Sequence, residues 1–222
     1  MSKVSEQSEF WSKVADKYDG VVDLQIGGRT RSLVRERLTK EDRLGHVAEF
    51  GCGTGFYTHV LAERADTVVA TDISPGMLDV AKIRVHASNV RFQVEDCQKT
   101  SLPDDALDSA FISLVLHFTD PKKTFLEMHR MLKVGGMLIV ANLDLHALRG
   151  LHRARSLVRI LYHGLTGYRI KPPKNFAKNM LTEKKLRKLL NQCGFMVMDS
   201  ETIRDTSRSS NIPVEYIRAV KA

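Results

Sequence analysis

The chain has 222 residues, 43% hydrophobic and 27% charged, which fits one folded domain with a modest elaboration and excludes a disordered polymer. No apolar run approaches the ~18 residues of a membrane span, and the polar start from Met1 to Gln7 carries no signal-peptide core. Lys plus Arg number 34 against 26 for Asp plus Glu, a net charge of +8 that raises nucleic acid, an anionic membrane or an acidic ligand as partners without choosing among them.

Phe10, Trp11, Val14, Ala15 and Tyr18 recur at helical spacing. Gly20 and the Gly27-Gly28 pair are expected to break the chain around a short apolar stretch, and a second helix is predicted over 30–44. Then strand and helix alternate. Strands are predicted at 46–50, 67–71, 90–94, 109–114 and 137–141, with helices at 57–64, 76–86 and 121–132 between them. Such alternation implies an α/β fold, a parallel sheet covered on both faces. Residues 143–181 interrupt the rhythm with an apolar-basic helical stretch, 148–162, followed by Gly164, Gly167 and Pro172-Pro173. Thr182 is a good N-cap and Gly194 a good stop for a helix at 183–193; 195–203 and 214–220 read as a closing strand pair. The organisation expected is therefore a single domain over 1–222. It comprises a helical cap (1–44), a ligand-binding core (45–142), a basic lid insertion (143–181) and a C-terminal helix with a strand pair (182–222). Cys52, Cys97 and Cys193 are widely spaced and odd in number, which suggests neither a disulfide framework nor a metal site and fits a cytoplasmic location.

Glu49-Phe50-Gly51-Cys52-Gly53-Thr54-Gly55 falls between a strand and a helix. Glycines at alternate positions let the backbone turn sharply and approach a ligand closely. A ligand-free glycine-rich turn is the plain alternative. The loop is not the dinucleotide fingerprint, because Phe56 stands where that motif needs glycine, and no Gly-Lys-Ser/Thr follows to make a P-loop. The second strand ends at Asp72, which suits a ribose diol, and Asp96 follows the third strand. Either acid alone is an ordinary loop residue or cap. Together, at the carboxyl ends of successive strands, they line one crevice.

The arrangement resembles a class I S-adenosylmethionine-dependent methyltransferase, nearest the broad ubiquinone/menaquinone-methyltransferase-like group. Glu49 to Gly55 matches the first motif of that family, Val69 to Ser74 the second, and Asp96 the adenine-contact position. Leu107 to Phe111 with Leu116-His117-Phe118 matches the fourth-strand motif, and Met131 to Leu138 the turn before the fifth strand. The resemblance spans about residues 10–220. It implies a Rossmann-like, doubly wound, seven-stranded and mostly parallel sheet of order 3-2-1-4-5-7-6, with an antiparallel final strand. It implies S-adenosyl-L-methionine as cofactor and no metal. Gly51, Gly53 and Gly55, with Cys52 among them, would underlie the methionine moiety, and Glu49 would fix the loop. Asp72 would hold the ribose, Ile73 and Met77 would pack on the adenine, and Asp96 and Cys97 would read its edge.

Methyl transfer from a sulfonium needs alignment and exclusion of water more than a dedicated base. His117 is the base candidate; its other reading is a pocket-shaping residue. Tyr18 can close over cofactor or acceptor, or simply end an apolar helix stripe. Asn142 and Asp144 follow the fifth strand as acceptor-side candidates, or as loop caps. Residues 143–178 carry eight cations (Arg149, Arg153, Arg155, Arg159, Arg169, Lys171, Lys174 and Lys178) against Asp144, so +7 of the net +8 sits there. The first four arginines share one side of a helix; Leu151, Leu157, Val158, Leu161 and Tyr162 take the other. Three readings stand open: a solvated basic face on a lid, attraction of an anionic small substrate, or a seat on anionic lipid or nucleic acid. The function expected is in-line methyl transfer to a small-molecule acceptor. The alternatives are methylation of a quinone or lipid at a membrane surface, tRNA methylation, and non-catalytic binding of S-adenosylmethionine.

Overall fold

The computed structural model describes residues 3–169 and 179–222. Three helices come first: α1 (Lys3–Val14), α2 (Tyr18–Ile26) and α3 (Thr30–Leu38). The alternating core follows as β1 (Gly45–Phe50), α4 (Thr58–Arg64), β2 (Ala65–Asp72), α5 (Pro75–Arg84), β3 (Val90–Val94), β4 (Leu107–Ser113), α6 (Pro121–Met131) and β5 (Leu132–Leu143). Then come α7 (Gly150–Tyr168), α8 (Glu183–Gln192), β6 (Phe195–Ile203) and β7 (Val214–Lys221). The seven strands form one sheet in the order β3-β2-β1-β4-β5-β7-β6. β1 to β5 pair in parallel, and β7 runs antiparallel to both β5 and β6. The α/β class, the strand order and the antiparallel final strand agree with expectation.

Strand side chains alternate between two apolar layers. Val47, Phe111, Ile139 and Tyr216 point to the side covered by α3, α4 and α5, through Leu38, Leu61 and Leu78. Phe50, Ile112, Val140 and Ile217 point to the other side, against Phe125 and Met128 of α6 and Leu186 and Leu190 of α8. Burying each such side chain stabilises the fold by about 1.5–3 kcal/mol. The helices that cover the sheet start where the sequence carries caps. Ser74, Asp120 and Thr182 accept hydrogen bonds from first-turn N–H groups, and Pro75 and Pro121 follow the first two.

Four local expectations are corrected. α2 runs straight through Gly20, because Val21, Val22 and Ile26 bury one helical face and outweigh a single glycine's cost of about 1 kcal/mol. α3 ends at Leu38 rather than 44, where the chain turns into β1. β5 starts at Leu132, ahead of the Gly135-Gly136 pair, by pairing with Leu107. α7 continues past 162 to Tyr168, since Gly164 and Gly167 do not break it. They lie where α7 meets α2: a Cβ on Gly167 would stand 2.5 Å from Val21 Cγ2, and one on Gly164 3.0 Å from Gln25 Nε2. Among the described residues no helix is long and apolar enough to cross a membrane, and no group of three or more His, Cys, Asp or Glu is placed to hold a metal ion. Lys171, Lys174 and Lys178 of the basic segment lie outside the described residues.

Candidate active site

The carboxyl ends of β1, β2 and β4 open onto one cleft. Gly51, Gly53, Asp72, Ile73, Met77, Asp96 and Cys97 line a cavity of about 640 Å³, with Leu114, Val115 and Phe118 opposite and Trp11 and Tyr18 of the cap across the top. Gly51, Gly53 and Gly55 all adopt positive φ, at +67°, +56° and +81°. At Gly51 a Cβ would run into Val115 Cγ2, so only glycine lets the loop pass this close to the β4 exit. Gly53 presents its bare Cα beneath Tyr18, whose Cε1 would lie 3.6 Å from a Cβ there.

Asp72 holds this loop in place. Its Oδ2 accepts from Gly53 N at 2.9 Å and its Oδ1 from Ser74 N at 2.9 Å. Burial pushes its carboxyl up to about 6, against three backbone hydrogen bonds that pull it down. The carboxylate keeps lone-pair capacity beyond these bonds for a hydroxyl donor such as a ribose carries. Asp96 Oδ1 accepts from Gln98 N at 3.0 Å and Gln98 Nε2 at 3.1 Å, which fixes its carboxylate at the cleft edge. The donor set and the glycine cradle both fit an adenosyl cofactor.

The other candidates stand apart from the cleft. Glu49 is 2% exposed, and its Oε2 accepts from Thr58 Oγ1 at 2.6 Å, so it ties β1 to the first turn of α4. Burial pushes its carboxyl up to about 8. Gly55 faces α5: a Cβ there would stand 3.0 Å from Val85 and 3.3 Å from Ala81. Cys52 is buried, with Sγ 3.8 Å from Gly53 O, and burial drives its thiol well above the usual range. Asn142 donates through Nδ2 to Leu143 O and Leu181 O, both at 3.1 Å, fastening β5 to the entrance of α8. Asp144 caps the turn after β5 by accepting from His146 N and Ala147 N.

His117 lines a second cavity, of about 620 Å³, walled also by Val22, Ile26, Leu143, Ile160, Tyr168 and Met180. Trp11, Tyr18, Leu114 and Phe118 line both cavities, so the two meet along this wall. Leu114 sits at φ +58°, a left-handed conformation that costs an L-residue about 1–2 kcal/mol. Such strain accumulates at functional sites. The second cavity's surroundings are mostly apolar. His117 Nδ1 is buried there with no hydrogen-bond partner, and burial lowers its imidazole to about 4. The ring is therefore neutral at pH 7. Tyr18 is half-buried at the junction, and its phenol is pushed up to about 12, chiefly by desolvation.

Sequence reasoning missed most of this wall. Trp11 packs edge-on against Tyr18 at 5.7 Å, Phe118 at 5.1 Å and Tyr168 at 6.3 Å, joining the cap, the β4 exit and α7. It also missed the ion network under the cap. Asp19 accepts from Thr54 Oγ1 and from Arg31 Nη1 at 2.6 Å, and also pairs with Arg84. Arg31 is 3% exposed, reaches Asp23 at 2.8 Å and lies over the Phe56 ring at 4.2 Å. Tyr18-Asp19 in the sequence was the one available signal, an aromatic-acid pair at a helix start.

Of the arginines expected on one basic face of α7, Arg159 turns onto the body while Arg155 stands in solvent. Arg159 donates to Gln25 O at 3.0 Å, Asn211 Oδ1 at 3.1 Å and Ser210 O at 2.8 Å, and burial lowers its affinity for its proton. Leu151, Val158, Leu161 and Tyr162 stand in solvent beside it.

Residues 48–140 match the family model described as a methyltransferase domain. A malonyl-[acyl-carrier protein] O-methyltransferase of Serratia marcescens is 31% identical over 64% of this chain and 54% of its own length. A demethylmenaquinone methyltransferase of Paenarthrobacter aurescens is 34% identical over 61% of this chain and 54% of its own length. The chain thus spans about half the length of these curated relatives. Among solved structures, a DhpI–SAH complex superposes with a TM-score of 0.70 at 18% identity, covering 99% of this chain and 97% of that one.

Proposed function

We propose that this chain, a class I S-adenosylmethionine-dependent methyltransferase by its motifs and relatives, transfers the methyl group of S-adenosylmethionine to a small apolar acceptor by in-line displacement. The observation that carries this reading is the pair of cavities sharing one aromatic wall, the first lined by glycines and carboxylates and the second by apolar side chains.

When bound, the cofactor supplies an already activated sulfonium methyl. The chain's own residues then supply position. Asp72 accepts from ribose hydroxyls, Ile73 and Met77 flank the adenine, and Asp96 with Cys97 meets its edge. Gly51 and Gly53 make room for the methionine portion under Tyr18. Trp11, Tyr18, Leu114 and Phe118 leave the junction as the meeting place of donor and acceptor, and their apolar surfaces keep water out. Positioning of this kind can contribute about 7–11 kcal/mol to a bimolecular step.

His117 and Gln25, with the phenols of Tyr18 and Tyr168, are the polar groups of a mostly apolar acceptor cavity. His117 is neutral at pH 7, and its Nδ1 is free to accept a hydrogen bond from a hydroxyl or amine of the acceptor, or to donate one in the other tautomer. With its basicity lowered by burial, orienting the nucleophile fits it better than holding a proton. The relative named for demethylmenaquinone supports small-molecule chemistry of this kind, whereas the one named for malonyl-[acyl-carrier protein] has a carrier-borne acceptor. The apolar cavity favours a quinone- or lipid-like acceptor over a tRNA base. Incubation with radiolabelled methyl donor and acceptor extracts tests the proposal: label entering an organic-soluble small molecule supports it, and label confined to RNA overturns it.

A further inference from the structure

We propose that the outward face of α7 is a membrane-contact surface, and that its partner is a lipid bilayer bearing anionic headgroups. Leu151, Val158, Leu161, Tyr162 and Leu165 are each 61–66% exposed, and Ala154 is exposed among them. At 100° per residue these six fall within a 100° arc that contains no polar residue. No described residue covers that arc. Arg155 stands exposed on one edge of it and Arg153 lies beyond Leu157 on the other.

The inward side of the same helix is held by polar chemistry. Ser156 Oγ donates to Ser210 O at 2.5 Å, and Arg159 bonds Gln25, Ser210 and Asn211. A helix that spends its arginine and serine on the body and its leucines on solvent has the reverse of a solvated surface helix's polarity. The described residues therefore leave the apolar face open.

Charge and area select the occupant. Arg153 and Arg155 flank the stripe, so a second copy of this chain would bring like charge to like charge. The stripe from Leu151 to Leu165 is about 22 Å long and roughly 10 Å wide. That is on the order of 200 Å², far below the ~800 Å² per partner of a stable protein interface. A bilayer needs no matching groove. It takes a convex apolar helix in its interfacial plane and attracts flanking arginines to anionic headgroups. Ile160 and Tyr168 of α7 also line the apolar acceptor cavity, so the surface placed on the bilayer adjoins the proposed acceptor site. The binding itself does not depend on methyl transfer.

The test is sedimentation of the full chain with sucrose-loaded vesicles, either pure phosphatidylcholine or containing 30% phosphatidylglycerol. At low salt the wild type should pellet with the anionic vesicles at least tenfold more than with the neutral ones, and lose most of that at 0.5 M NaCl. Val158→Glu with Leu161→Glu should abolish pelleting while leaving the thermal midpoint unchanged, because both positions are solvent-facing. As an independent readout, Tyr162→Trp should show an emission blue shift and quenching by brominated lipid. No pelleting at low salt overturns the proposal, as does equal pelleting of the glutamate variant. Dimerisation through this face, or capture by an acidic protein, overturns it when vesicle binding is absent.

Discussion

Asp19 and Thr54 join the helical cap to the glycine loop. Thr54 Oγ1 stands 3.0 Å from Asp19 Oδ1 and 2.9 Å from Oδ2, so one hydroxyl spans the carboxylate that also holds Arg31 and Arg84. The four partners come from α2, α3, the loop after β1 and α5. Tyr18, one residue before Asp19, is thereby held over Gly53. The contact ties the N-terminal helices to the glycine loop as the roof of the cleft.

Replacing Asp19 with Asn should remove the charge that Arg31 and Arg84 share. Hydrogen bonds to charged groups contribute about 1.5–3 kcal/mol, so a loss of about 2 kcal/mol in urea unfolding is expected. Affinity for S-adenosylhomocysteine should fall about tenfold, with faster amide exchange in α1 and α2. Unchanged exchange and affinity would show that the cap is held by its apolar contacts alone.

Gly51→Ala should abolish measurable cofactor binding. The added methyl meets Val115 and the residue sits at φ +67°, where an L-side chain costs about 1–2 kcal/mol. Calorimetric titration with S-adenosylhomocysteine checks this, and affinity within twofold of wild type would remove the loop from the cofactor site.

The sequence made the sheet legible and left the roof hidden, for physical reasons. Strands such as 46–50 and 109–114 are short, mostly apolar stretches alternating with helical segments, so their place in a covered parallel sheet follows from local pattern. Asp72 was legible because the end of a parallel strand fixes where its side chain opens. Trp11, Phe118 and Tyr168 were not, because their meeting joins residues more than 40 positions apart. For α7, periodicity separates two faces but carries no sign. Which face turns inward is decided by Gln25, Ser210 and Asn211, far away in sequence.

Cofactor affinity should depend on Asp72 ionisation. Its carboxyl sits at about 6 in the free chain, and ribose hydroxyls donate best to the charged form. Binding should therefore weaken as pH falls from 7 to 5, approaching tenfold per unit below 6. Asp72→Asn should bind about 10–100-fold more weakly at pH 7 and lose this dependence. An Asn variant with wild-type affinity would contradict the ribose contact.

His117 leaves a signature in stability. Its folded value, about 4, lies below its ordinary 6.5, so the unfolded state binds the proton first. Folding stability should fall as pH drops from 6.5 toward 4, by up to about 3 kcal/mol from this residue. His117→Phe should remove that part of the slope in denaturant titrations. A slope identical to wild type would place the imidazole in water rather than in the apolar cavity.

Glu49 works in the opposite direction. Its folded value, about 8, lies above its ordinary 4.5, so its stabilisation is present at low pH and lost as pH rises through 8. Glu49→Gln keeps an acceptor for Thr58 and removes the ionisation. At pH 8.5 it should melt at a higher temperature than wild type, and at pH 5 the two should be nearly equal. A variant less stable at both pH values would show that the carboxyl makes a contact amide cannot replace.

The most direct measurement is the fate of label from [methyl-³H]S-adenosylmethionine after incubation with fractionated cell extract. Radioactivity recovered in an organic-soluble small molecule, and lost with Gly51→Ala, is the expected result. Radioactivity recovered only in tRNA or protein, or none above the Gly51→Ala background in any fraction, would contradict methyl transfer to an apolar acceptor.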